Sequence, residues 1–70
     1  MGETVKRFRV FFHSPFGPAC GHWGPRFETK WGAIEYAKAQ YGRMRPGWAC
    51  SVHHDFAGKL CDVPRGEVAL

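Results

Sequence analysis

Residues 6–13, Lys6-Arg7-Phe8-Arg9-Val10-Phe11-Phe12-His13, alternate between apolar and polar side chains. Phe8, Val10 and Phe12 fall on one side of an extended chain, with Arg7, Arg9 and His13 on the other. The segment therefore predicts a half-buried β-strand. Phe11 interrupts the alternation and sets an aromatic ring among the polar side chains. Two more extended segments, 48–54 and 59–63, flank Asp55-Phe56-Ala57-Gly58, which fits a type I turn closed by a left-handed glycine. That hairpin register sets Val52 opposite Cys61 and Cys50 opposite Val63. Trp48, Cys50, Val52, Cys61 and Val63 then share one face, and Ser51, His53 and Asp62 the other.

Between the first strand and the hairpin the period becomes helical. Thr29 is the expected N-cap and residues 30–41 the expected helix, stopping at Gly42. Ile34, Ala37 and Tyr41 form its apolar stripe, with Trp31 at the edge. Ala33, Ala37 and Ala39 suit a helix packed closely on a sheet, and Tyr36 is expected exposed on the opposite side. Glu35 and Lys38 can pair on the surface. In residues 14–25, Pro15, Gly17, Pro18, Gly21, Gly24 and Pro25 predict an irregular loop. Phe16, His22 and Trp23 inside it point to a loop folded back on the core or used in function. Residues 26–28 are expected as a short extra strand.

This order predicts an α+β domain, a three-stranded or, with 26–28, four-stranded and mostly antiparallel sheet with one helix packed on one face. One domain is expected over 1–70, with its core in 6–63 and a loosely held tail over 64–70. The three tryptophans are expected mostly in the core, Trp23 being the one most exposed.

Composition narrows the function classes. A hydrophobic fraction of 44% with three Trp and six Phe is too apolar for a disordered segment. A chain of this length buries only about 60% of its unfolded surface. That leaves little room for a deep cleft with buried catalytic groups. The net charge of +4 favours an acidic partner, nucleic acid or protein. No apolar run approaches the roughly 18–20 residues of a membrane span, and the N-terminus lacks the pattern of a signal peptide. Three cysteines are an odd number for a secreted disulfide framework, so a reducing, cytoplasmic setting is expected.

The candidate chemistry is sparse. Cys20, Cys50 and Cys61, with His22 or His54, could converge on zinc only if the 14–25 loop folded over the hairpin, and no Cys-x-x-Cys pair is present. A zinc-stabilised module is thus an alternative, while no cofactor or metal is the main expectation. Neither a Cys–His pair, nor paired carboxylates, nor a glycine-rich phosphate loop is marked by spacing, so no enzyme is expected. The sheet face away from the helix is more suggestive: Arg7, Arg9, Phe11, His13, Ser51, His53, Leu60 and Asp62 would lie on it. Arginine beside exposed aromatic rings suits protein hot spots and base stacking alike. The residues expected to contact a partner are Arg7, Arg9, Phe11, His13, Trp23, Tyr36 and His53. Arg43 and Arg45, flanking Met44, form a second basic spot. An open strand edge makes a homodimer feasible.

One strand, the helix Thr29-Lys30-Trp31-Gly32-Ala33-Ile34-Glu35-Tyr36-Ala37 and a hairpin over 48–63 around an Asp-x-x-Gly turn resemble the layout of small phage-encoded proteins of the anti-CRISPR type. The resemblance implies a cytoplasmic, non-enzymatic protein that blocks a nucleic-acid-targeting complex by binding a protein partner, such as a CRISPR effector subunit. It carries over no individual functional residue, and the positive charge is unlike that of the acidic members that imitate DNA. A nucleic-acid-binding accessory domain using the same sheet face is the alternative.

Overall fold

Alternation carries Phe8–His13 into the first strand, β1, with Val10 and Phe12 buried. The structure is a computed structural model and describes residues 5–65. Residues 1–4, and the expected loose tail from residue 66 onward, lie outside the described residues. After β1 a single 3₁₀ turn, Pro18–Cys20, leads into β2, His22–Phe27. The helix α1 spans Lys30–Gln40, and β3 (Ala49–His54) and β4 (Gly58–Val63) form the hairpin. The strands make one antiparallel sheet in the order β2-β1-β3-β4. This is the expected α+β class. Both β2 and β3 run antiparallel to β1 and hence parallel to each other, so α1 carries the chain across the middle strand.

The expected irregular stretch over 14–25 is overturned at its end, because β2 begins at His22 and runs through Gly24-Pro25. An edge strand tolerates proline, since its outer amides need no ladder partner. The register slips where Arg9 pairs with Arg26 but Phe11 pairs with Trp23. Two residues, Gly24 and Pro25, thus stand opposite the single Val10, and this bulge absorbs the proline. Gly24 also has to lack a side chain, because a Cβ there would come within 2.6 Å of the Phe12 ring.

Thr29 caps α1 as expected, its Oγ1 accepting from the Gly32 amide at 3.0 Å. Ala33 and Ala37 are fully buried at the centre of the contact. Two methyl groups there let the helix sit close to the sheet, so the flanking Ile34 and Tyr36 both reach down to it. The expectation of an exposed Tyr36 is therefore wrong. Its ring is half-buried, 5.1 Å from Phe27 and 6.3 Å from Phe12. Trp31 is the most exposed tryptophan instead of Trp23, at 65% against 47%, because it lies on the helix side away from Ala33.

The hairpin has the expected register: Cys50 faces Val63, Ser51 faces Asp62 and Val52 faces Cys61. Gly58 closes the turn with φ +77°, and His54 Nδ1 accepts from the Phe56 and Ala57 amides. A second bulge follows, since His53 pairs with Lys59 and leaves Leu60 unmatched. Leu60, expected on the outer face, is turned by this bulge to pack against the core instead.

The buried layer, Val10, Phe12, Ala33, Ala37, Tyr41, Cys50, Val52 and Val63, lies between α1 and the sheet. Tyr41 fastens it. Its hydroxyl accepts from the Cys50 amide at 2.8 Å and donates to the Val63 carbonyl. Helix end, β3 and β4 thus meet at one oxygen. Arg65 continues the clasp, donating to the carbonyls of Tyr41 and Arg45 with its guanidinium 4.9 Å from the Tyr41 ring.

Candidate functional site

The helix covers one face of the sheet, and nothing among the described residues covers the other. On a strand alternate side chains share a face, but each bulge shifts the phase by one. Trp23 and Arg26, three apart on β2, therefore both point to the open face, as do Lys59 and Asp62 on β4. Arg9, Phe11 and His13 from β1 and Ser51 and His53 from β3 complete it.

At the centre Phe11 and Trp23 meet edge to face with centroids 4.8 Å apart. Such pairs contribute about 0.5–1.5 kcal/mol beyond area burial and fix both rings. The Arg9 guanidinium lies 4.3 Å from the Trp23 ring centroid, a cation–π contact. His53 stands 5.0 Å from Trp23 and 6.2 Å from Phe11, and His13 is 4.8 Å from Phe11.

One carboxylate organises the cationic end. Asp55 accepts from Arg26 Nη1 at 2.8 Å on both oxygens and lies 3.6 Å from Arg9 Nε. Its backbone amide donates to the Arg7 carbonyl, and the Arg7 guanidinium sits 4.6 Å from the Phe56 ring. The Arg26 hydrogen bonds, followed by the charges of Arg26, Arg9 and Arg7, hold the Asp55 carboxyl below its ordinary range. On β4 the bond from Lys59 at 2.7 Å lowers Asp62 in the same way.

Below the rings, Ser51 Oγ lies 2.6 Å from His13 Nε2 and 2.7 Å from His53 Nε2. A serine hydroxyl has one proton, so it donates to one imidazole and accepts an N–H from the other. Burial holds the His53 imidazole below its ordinary value, and the charges of His13, Lys59 and Arg9 add to this. A serine between two histidines suggests a nucleophile. Ser51 is fully buried among the described residues, however, with its hydroxyl taken up by the two imidazoles.

Of the residues expected from sequence, Arg9, Phe11, His13, Trp23 and His53 come together in one continuous cluster. Arg7 lies at its margin beside the hairpin tip. Tyr36 lies on the helix side of the sheet, away from the others. Sequence reasoning missed Arg26, Asp55 and Lys59. For Arg26 and Lys59 the signal was a spacing of three within a strand, which places two residues on one face only when a bulge intervenes; Asp55 lies in the hairpin turn. As for metal, Cys20 is exposed, Cys50 buried and Cys61 half-buried, with no disulfide. Among the described residues no three of His, Cys, Asp or Glu stand close enough to hold an ion. No helix among them is long and apolar enough to cross a membrane.

The chain matches no protein-family model, no curated protein and no solved structure.

Proposed function

We propose that the chain is a non-catalytic binding protein that docks on a protein partner through its open sheet face. In the manner of the phage-type inhibitors its layout resembles, it blocks a nucleic-acid-targeting complex. The observation that carries this reading is the preordered Arg9–Trp23–Phe11 group on a face left bare by the helix. Tryptophan and arginine fixed before contact are what interface hot spots use, because little side-chain freedom remains to be lost on docking. The charge pattern favours protein over nucleic acid. Arg9 and Arg26 already share Asp55, and Lys59 is bound to Asp62. A surface of alternating sign suits a polar protein rim better than a track of phosphates.

The test is functional. Expressed in hosts carrying active CRISPR systems of several types, the chain should restore infection by a targeted phage. Trp23→Ala and Arg9→Glu, each still folded, should cut that effect and the affinity for the effector at least about tenfold. Failure to protect phage against any system, or full protection by both variants, would refute the inhibitor. The nucleic-acid alternative rests on the Arg9–Trp23 stack, which could take a base. It predicts single-strand binding that collapses between low and physiological salt, and it fails if micromolar protein retards no RNA or DNA at low salt.

A further inference from the structure

On the helix side of the sheet, away from the open face, α1 and the connector after it leave a cavity of about 440 Å³. This lies within the range of about 300–1,000 Å³ typical of small-ligand sites. Four aromatic side chains from separate segments line it: Phe12 of β1, His22 of β2, Tyr36 of α1 and Trp48 just before β3. The His22 ring is tilted against Phe12 at 5.0 Å and stands 5.9 Å from Trp48. Arg43 and Arg45 line the same cavity, and no carboxylate among the described residues does. Neither arginine takes part in an ion pair among the described residues.

The connector that bears these arginines is held in place. The Met44 amide donates to the Tyr41 carbonyl, and the Arg45 carbonyl accepts from both the Trp48 amide and Arg65. Two guanidinium groups beside ring surfaces, neither in an ion pair among the described residues, fit a ligand with a planar ring system and a compact, multiply charged anion. Paired arginines match the several oxygens of a phosphate, whereas one would serve a carboxylate. Gln40, also on the wall, offers both a donor and an acceptor to the edge of a base.

We propose that this cavity binds a 5′-nucleotide, its base against the aromatic walls and its phosphate at Arg43 and Arg45. The nucleotide is either free or the 5′-phosphorylated end of a single strand. The site shares no residue with the Arg9–Trp23 group, so each proposal stands or falls without the other.

Nuclear magnetic resonance on the full isotope-labelled chain tests it, with AMP, adenosine, inorganic phosphate and short oligonucleotides with and without a 5′-phosphate as probes. AMP should move the Trp48 indole signal saturably and leave that of Trp23 in place. Adenosine and phosphate should each bind at least about tenfold more weakly than AMP, since each lacks half of the contacts. The double variant Arg43→Ala/Arg45→Ala should weaken AMP at least about tenfold, and Arg43→Lys/Arg45→Lys should lose less. Both positions are exposed, so retained dispersion of the remaining signals will show an intact fold. Competition by the 5′-phosphorylated strand alone identifies a strand end as the source; no competition identifies the free nucleotide. The proposal is overturned if millimolar AMP gives no saturable shift, if phosphate binds as well as AMP, if the alanine pair binds AMP normally, or if the shifts gather on Trp23.

Discussion

Tyr41→Phe isolates the hydroxyl that joins helix to sheet. The phenyl ring keeps its volume and its place at 6% exposure, so no cavity forms and the change reads the oxygen alone. Two backbone groups lose their partner, the Cys50 amide and the Val63 carbonyl. Both residues are nearly inaccessible, at 1% and 2% exposure, so water does not replace the hydroxyl. A buried polar group left unsatisfied costs about 1–3 kcal/mol, which gives about 2–6 kcal/mol for the pair. Against a total stability of roughly 3–10 kcal/mol for a domain of this size, that is a large fraction. The melting temperature should fall by roughly 10 °C or more. Burial pushes the Tyr41 phenol above its ordinary 10.0, other influences being smaller. The folded state thus holds the proton more tightly than the unfolded chain. This contribution is complete below pH 10.0 and is lost only as the pH climbs past that value. Urea titration followed by circular dichroism measures the difference. A loss below about 0.5 kcal/mol at unchanged slope would refute the view that this oxygen clasps the two layers.

Three further outcomes are expected. His53 titrates below its ordinary 6.5 because of burial and the charges of His13, Lys59 and Arg9, with Asp62 opposing. The unfolded chain therefore takes up that proton first, and stability present above pH 6.5 declines as the pH falls. His53→Gln should flatten the decline between about pH 7 and pH 5, and equal denaturation profiles for the two proteins would contradict it. Gly24→Ala drives a methyl into the Phe12 ring and should cost about 1–3 kcal/mol in chemical denaturation; an unchanged midpoint would show that β2 can shift freely. Asp55→Asn should leave the melting temperature close to that of the parent but release Arg9 and Arg26. The Trp23 indole signal would then move and partner affinity would drop several-fold, whereas an unmoved signal would mean that Asp55 does not hold Arg9 over the ring.

The hairpin and the capped helix were legible because they depend on local chemistry: a glycine at positive φ, alternation over five or six residues, and a threonine before a helical period. What was hidden depends on phase and reach. Only the end of β2 was legible, as the short strand expected over 26–28, because Gly24 and Pro25 belong to loop composition, and only an edge position with a bulge reconciles them with a strand. The same bulge brings Trp23 and Arg26 to one face, and its counterpart at Leu60 does so for Lys59 and Asp62. Tyr36 was misplaced because helical angles were read without the radius. With alanines at the centre of the contact, a long side chain well off the stripe still reaches the sheet. The cavity beside Arg43 and Arg45 draws on four segments distant in sequence, and no local pattern reports such a convergence.

Pro25 has a consequence for self-association. It sits in the outermost strand on one side, lacking an amide hydrogen and flanked by an irregular register. A neighbouring molecule finds only an interrupted ladder there. The opposite margin, β4, contains no proline, so extension of the sheet from copy to copy is steered to that side. Two β4 margins that pair occupy each other, and the proline-bearing strands are left at both ends. Association by that route would therefore end at two molecules.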